Sequence, residues 1–456
     1  MREHGQHGFL KFLSEVVLMY SKKIAGSLKK KNISVGDRIE VSSEKGKFGG
    51  LLMPRVRGKA EVLVLKLDNG YNIGIGFEGS EVKLIEKRKP AKPEKKHGGG
   101  KGDIAILGCG GTIASKIEYK TGAVYPAITP EELRMTFPEI EDIATIRSKS
   151  LFSLLSEDMN SAHWKILANA VVDEIKDGAK GIIVMHGTDT MTYTSSALSF
   201  MLQDLPVPVV LVGAQRSSDR PSSENEMNMM NAVYAAKKDI GEVGVCMHAS
   251  MNDDFCYLHH GTRVRKMHTS RRDAFHSINS MPIAAVNYAN DRFEVLSPYR
   301  KCSPQSRLKV NTKMNDNVAM VYMHPNIKPK LIESLSDYDG VLLVGTGLGH
   351  APTNPFGDKH ARPVLPAIKG LIDSEIPVVM SSQTISGRLC MRVYAAGRLL
   401  MEAGVIGDSM DWTPEAAYTK LCWVLGQTKD MKKVRELMMT DIAGEISERS
   451  VMKEEY

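Results

Sequence analysis

The chain has 456 residues, 42% of them hydrophobic and 25% charged, and a formal net charge of +7. These values fit neither a disordered nor a membrane class, and the length exceeds one ordinary core, so two or three globular domains are expected. Phe9 to Tyr20 is the one stretch resembling a targeting segment. It is interrupted by Lys11 and Glu15, lacks a small-residue cleavage site and is too short to span a bilayer, so it reads as a helical extension, or as upstream sequence if translation begins at Met19. No membrane association is expected.

In chain order, residues 1–32 form an N-terminal extension carrying Lys22, Lys23, Lys29, Lys30 and Lys31. Residues 33–86 carry short strand signals. Asp37 to Val41 alternates, Ala60 to Leu67 is rich in Val and Leu, Asn69-Gly70 is a hairpin turn, and Tyr71 to Phe77 and Glu81 to Ile85 follow. This predicts a small β-barrel that docks a protein or RNA, or serves as a structural appendage. Residues 87–102 are a basic Pro/Gly linker; from Glu86 to Lys101 there are seven basic residues against two acidic, a pattern of solvated linkers and sometimes of RNA contact.

From residue 103 strand and helix signals alternate, which predicts α/β architecture with a parallel sheet. The apolar run Ile104 to Leu107 reads as a buried strand, and Gly108, Gly110 and Gly111 open a tight turn with Thr112 at its tip. Ser161 is expected to cap a helix running to about Lys176. Gly181 to Met185, a helix Thr192 to Leu202, and Val207 to Val212 follow. A poorly patterned connection after Lys301 separates the first α/β domain (103–301) from a second (302–456). The second has strands over Asn317 to Met323, Gly340 to Val344 and Pro377 to Ser381, and a helix opening at Thr413-Pro414.

Chemistry-bearing residues gather at strand ends. A nucleotide loop is disfavoured at Thr112, because Ile113 stands where G-x-G-x-x-G needs glycine and no Gly-Lys-Ser/Thr ending follows. Thr188-Asp189 follows the strand Gly181 to Met185, so a second hydroxyl and a carboxylate share the sheet edge with Thr112. Threonine is a weak nucleophile and needs a partner to take its proton. A lysine beside Thr188, oriented by a carboxylate, would serve, and Lys266 is the candidate, although its neighbours Arg263, Arg265, Arg271 and Arg272 also allow plain surface charge. The six cysteines, Cys109, Cys246, Cys256, Cys302, Cys390 and Cys422, show no C-x-x-C pair and no histidine at zinc spacing, which points to a reducing cytoplasm and no metal site.

Together, Gly110-Gly111-Thr112-Ile113-Ala114, His186-Gly187-Thr188-Asp189-Thr190 and Lys266 resemble, in order, the two threonine signatures and the lysine of the L-asparaginase/glutaminase amidohydrolases. The resemblance covers about residues 103 to 440 and includes Trp412-Thr413-Pro414-Glu415-Ala416-Ala417. It implies two asparaginase-like α/β domains, here preceded by the small β-barrel. Free-standing asparaginases lack the barrel and basic linker, which make the whole chain similar to the glutaminase subunits of archaeal tRNA-dependent amidotransferases. Those enzymes turn Glu-tRNA(Gln) into Gln-tRNA(Gln).

The resemblance implies that Thr112 is the acylated nucleophile and that Thr188, Asp189 and Lys266 support it, Asp189 also binding the substrate α-amino group. It further implies that Tyr125 is the loop tyrosine assisting proton transfer, that Ser156 and Glu157 hold the substrate carboxylate and amino groups, and that Ala214 faces the oxyanion side. The family commonly has Gln where Glu157 stands and Asn where His350 stands, so preference between glutamine and asparagine stays open. The expected function is a glutaminase that releases ammonia to a kinase/transamidase partner subunit, in a heterotetramer built on a homodimer core. ATP and Mg²⁺ would serve the whole complex, because this chain's own motifs bind no cofactor. A free-standing asparaginase with an accessory barrel and a non-enzymatic RNA-binding module are the alternatives.

Overall fold

A computed structural model describes residues 20–53, 61–68, 72–87, 103–110, 115–117, 124–126, 139–216 and 223–450. The Asn69-Gly70 turn, linker residues 88–102 and the turn bearing Thr112 lie outside them. Strands β1 (Arg38–Ser43), β2 (Gly46–Leu52), β3 (Val62–Lys66), β4 (Asn72–Gly76) and β5 (Glu81–Glu86) form one antiparallel sheet in the order β4-β3-β2-β1-β5. The last strand thus returns beside the first. Alternate side chains, Ile39, Val41, Leu52, Leu63, Leu65, Ile75 and Val82, make a separate apolar core. The helix Lys22–Lys30, capped by Ser21, adds Ile24 and Leu28 to that core.

Strand β2 has no counterpart among the sequence-predicted strands, because three glycines in GKFGGLL hide its alternation. Gly50 passes so near β3 that a Cβ there would meet the Lys66 carbonyl oxygen at 2.4 Å. Beyond Gly50, the side chain of Lys66 reaches Asp253 of the main body at 3.9 Å.

The main sheet is built from β6 (Ile104–Gly110), then, past the short pair β7 (Ser115–Ile117) and β8 (Val124–Pro126), β9 (Ile146–Leu154) and β10 (Gly181–Met185). After the two-residue β11 (Leu202–Gln203) come β12 (Val209–Val212), β13 (Val243–His248) and β14 (Cys256–His260). The hairpin β15 (Val264–Lys266) and β16 (Phe275–Ser277) precedes β17 (Ala284–Asn287) and β18 (Arg292–Val295). The order is β18-β17-β14-β13-β12-β10-β6-β9. Strands β9, β6, β10, β12 and β13 are parallel, whereas β14, β17 and β18 continue the sheet antiparallel. The sheet is therefore mixed rather than wholly parallel, because the connection from β13 to β14 is too short for a crossover helix.

Continuous apolar runs are buried on both faces. Leu107, Val184 and Leu211 point to the helices Ser161–Lys176 and Met191–Met201, and Ile106, Ile183 and Val210 to the helix Asn225–Ala235. The cap of the first of these helices is Asn160 rather than the expected Ser161: its side chain accepts from Ala162 N, and the His163 ring accepts from Asn160 N. Asparagine competes well for this position, and such a cap is worth about 1 kcal/mol.

A two-residue pairing of β11 with β19 (Lys309–Val310) leads into the second α/β half, where β20 (Val318–Tyr322), β21 (Gly340–Gly345) and β22 (Val378–Ser382) are parallel. Thr413 caps the helix Pro414–Gln427 as its sequence predicts. That helix packs on Met191–Met201, with Phe200 stacked on Trp423 at 6.3 Å and Tyr193 edge-on to Tyr418 at 6.1 Å. One apolar cluster therefore runs through both halves.

Candidate active site

In-register parallel pairing sets Gly108 opposite Met185, and Met185 opposite Val212, so the carboxyl ends of β6, β10 and β12 lie side by side. Such an edge is where open α/β sheets hold their sites. Gly110 ends β6 with φ +88°, and a Cβ there would meet the Leu154 carbonyl oxygen at 2.3 Å, so only glycine can stand two residues before Thr112. Thr112 itself and the side chain of Tyr125, which sits on β8, lie outside the described part of the structure.

The loop after β10 carries Thr188 and Asp189. Lys266, at the end of β15, is 77 and 78 residues away in sequence, yet its Nζ donates to Thr188 Oγ1 at 2.9 Å and to Asp189 Oδ1 at 2.8 Å. Lys266 is 12% exposed and Asp189 68%. The lysine is thus not a surface charge, while the carboxylate faces the open side where a substrate would approach. The surrounding arginines are individually partnered: Arg263 with Asp411, Arg265 with Glu415, Arg272 with Asp253 and Arg271 with Asp273.

Ser156 is buried in the turn Ser156–Asp158, and its carbonyl accepts the Thr190 hydroxyl at 2.6 Å. Glu157, the next residue, is exposed. Ser156 abuts the threonine loop closely enough that a Cβ on Gly187 would lie 2.7 Å from its Cβ and 2.9 Å from its Oγ. Gly187→Ala is therefore expected to cost about 1–3 kcal/mol and to lower kcat/KM about tenfold or more for the reaction this loop serves, since small displacements of reacting groups are expensive. Denaturation midpoints and steady-state kinetics at wild-type values would show that Ser156 yields freely.

Ala214 is fully buried in the loop after β12. Its neighbour Gln215 accepts a long hydrogen bond from Thr188 Oγ1, 3.5 Å. Two groups hold that loop from beneath: the carboxylate of Glu224, which accepts Gln215 N–H, and Asn228 Nδ2, which donates to Gly213 O at 2.9 Å. Burial raises the Glu224 carboxyl above its ordinary range. His186 is buried too. Gly187 O can only accept, so His186 Nδ1 donates to it at 2.7 Å, and Nε2 of the neutral ring accepts the Thr194 hydroxyl at 2.8 Å, whose oxygen accepts Trp164 Nε1–H at 3.0 Å. Desolvation pushes this imidazole down to about 4, so it is a neutral brace for the loop backbone at neutral pH.

Among the predicted residues, the structure brings together Thr188, Asp189 and Lys266, with Ser156 against their loop and Ala214 next to Gln215. Glu224 and Asn228 have no motif that would reveal them, because they act on loop backbone 9 and 15 residues away, whereas His186 stands inside the second threonine signature and braces the carbonyl of its own neighbour. His350 lies in the second half after β21, edge-on to Tyr394 at 5.5 Å. Among the described residues no cluster of three or more His, Cys, Asp or Glu could hold a metal ion, and no helix is long and apolar enough to cross a membrane. All six cysteines are free.

A hydroxyl, a lysine nitrogen and a carboxylate held together at a glycine-lined sheet edge suit acyl transfer from an amide. Comparison with known proteins agrees. The sequence matches the asparaginase N-terminal family over residues 103–299, the glutaminase/asparaginase C-terminal domain over 317–438 and the GatD N-terminal domain over 33–85. The D-type subunit of glutamyl-tRNA(Gln) amidotransferase from Pyrococcus furiosus is 47% identical over 438 residues, 92% of this chain and 96% of the relative. That from Methanobrevibacter smithii is 45% identical over 445 residues, 95% and 99% of the two chains. Among solved structures, the thermostable L-asparaginase from Thermococcus kodakarensis aligns with a TM-score of 0.67 at 33% identity, covering 75% of this chain and 99% of that one.

Proposed function

This chain belongs to the asparaginase family and, within it, to the D-type subunits of glutamyl-tRNA(Gln) amidotransferase, and from that premise we propose how its site works. It is the amidohydrolase subunit of a tRNA-dependent amidotransferase. Glutamine is the amido donor: Thr112 Oγ attacks the carboxamide carbon, an ester forms, the C–N bond breaks, and the nitrogen leaves as ammonia after taking up a proton. Water then adds to the ester, releasing glutamate and restoring the hydroxyl. Lys266, held between Thr188 and Asp189, relays the nucleophile's proton; the exposed Asp189 receives the substrate α-amino group; Ser156 and Glu157 hold the substrate carboxylate and amino groups; and Ala214 borders the oxyanion side. Tyr125 assists the proton transfer. The single observation that carries this reading is the contact of Lys266 Nζ with both Thr188 Oγ1 and Asp189 Oδ1.

The match of residues 33–85 to the GatD N-terminal domain favours the amidotransferase over a free-standing asparaginase. The partner we infer is a kinase/transamidase subunit that activates the tRNA-bound glutamate with ATP and Mg²⁺ and receives the ammonia, in a cytoplasmic heterotetramer with a homodimer of this chain at its core. Residues 33–86 and the basic linker would serve assembly, and the two α/β domains, 103–301 and 302–456, catalysis.

Forming an amide from a carboxylate needs an activated acyl group, and this sequence carries no Walker-type phosphate loop. The purified chain given glutamine, ATP, Mg²⁺ and Glu-tRNA(Gln) is therefore expected to make no Gln-tRNA(Gln), and to do so once the partner is added. Product from the chain alone would overturn the two-subunit reading.

A further inference from the structure

The glutaminase/asparaginase C-terminal match stops at residue 438, and the chain beyond it turns back across the molecule. Lys420, fully buried, donates to Met438 O at 2.8 Å and Thr440 O at 2.6 Å and meets the equally buried Glu445 carboxylate at 2.5 Å. Glu445 in turn accepts the amides of Ile442 and Ala443 at 3.1 and 2.7 Å. This knot fixes where residues 441–450 run.

They run to the root of the hairpin that bears Lys266. Arg263, 3% exposed, stands just before β15, and its guanidinium ties together three stretches of chain. Nε donates to Gly444 O at 2.7 Å, one terminal nitrogen to Asp411 O at 3.2 Å and the other to Ser447 Oγ at 2.8 Å. Ser447 N closes the ring on the Asp411 carboxylate at 3.0 Å, and Thr262 Oγ1 donates to Ala443 O at 3.2 Å. The other root is pinned to the same point: Asn279 Nδ2 donates to Asp411 O at 2.7 Å, and Ile278 N to Arg263 O at 2.7 Å.

Alternation along β15 then sorts the side chains. Arg263 and Arg265 bond to Asp411 and Glu415 of the second half, while Lys266 turns to Thr188.

We propose that residues 441–450 form a strap that sets the position of Lys266, with Arg263 as the positioning residue through which the strap acts. The proposal rests on the reading of Lys266 given above. A three-residue strand is stiff over this distance, so a shift at Arg263 moves Lys266 Nζ relative to Thr188, and misplacement by about 1 Å costs on the order of a hundredfold in rate. A guanidinium fork suits this work because its donors are fixed in one plane, whereas an ammonium cannot span the same acceptors.

The test compares Arg263→Lys, Ser447→Ala and Lys266→Met in the full chain assembled with its partner subunit, by kcat and KM for glutamine, with denaturation curves on the same samples. Expected are a kcat about tenfold lower in Arg263→Lys and about threefold lower in Ser447→Ala, each with KM within about twofold of wild type and a cooperative unfolding transition. If Arg263→Lys does not fold, Ser447→Ala decides alone, since it removes a single hydroxyl. Unchanged kcat in the strap variants beside an inactive Lys266→Met overturns the strap and leaves the lysine's role standing. An active Lys266→Met overturns both. Loss of kcat only in proportion to unfolded protein also overturns the strap.

Discussion

Thr112→Ala is expected to lower glutamine hydrolysis by roughly a thousandfold or more while leaving the fold intact. Removing a nucleophile leaves only the acceleration that oxyanion donors and binding supply, a small part of the whole. The fold should survive because the substitution leaves in place the backbone demand at Gly110, its φ of +88° and its close approach to Leu154. Steady-state ammonia release with charged tRNA and partner present, together with a denaturation curve, measures both halves of the expectation. Hydrolysis near the wild-type rate would remove Thr112 from the mechanism.

The second large effect is at Lys266. Lys266→Ala and Lys266→Arg are both expected to lose about a hundredfold or more, because a guanidinium stays protonated and cannot accept the hydroxyl proton. The lysine's 12% exposure leaves little room for the longer arginine head between Thr188 and Asp189. A plain charge at the surface would tolerate arginine, so full activity in Lys266→Arg would end the catalytic assignment.

Thr112 stands in a local signature, the glycine turn after an apolar strand, and that is why it is readable without the fold. Gly181–Met185 is legible to the residue because a short apolar run between turn signals leaves few alternatives. The cap at Thr413 is legible because Pro414 follows it. β2 is not, since Gly46, Gly49 and Gly50 erase the alternation that marks a strand. Nor is the antiparallel extension β14-β17-β18, whose short strands alternate too briefly to announce their direction. At the site, Lys266 is legible only through family resemblance, because nothing in Arg263-Val264-Arg265-Lys266-Met267 says which cation turns inward. Glu224, Asn228 and Arg263 act on backbone atoms, and such partners leave no pattern in side-chain spacing.

The apolar cluster shared by the two α/β halves bears on how this chain can be recombined. The sequence divides near residue 301, but the interior does not: Phe200 and Tyr193 from one half meet Trp423 and Tyr418 from the other. A chimera that took its C-terminal half from another asparaginase would inherit half of each contact, and close-packed interiors tolerate volume changes poorly. A C-terminal half brought in from elsewhere would therefore need the helix Met191–Met201 to come with the Pro414–Gln427 helix that packs on it. The N-terminal sheet, whose core of Ile39, Leu63 and Leu65 is its own, can be grafted as a block, provided that the Lys66–Asp253 contact is carried with it.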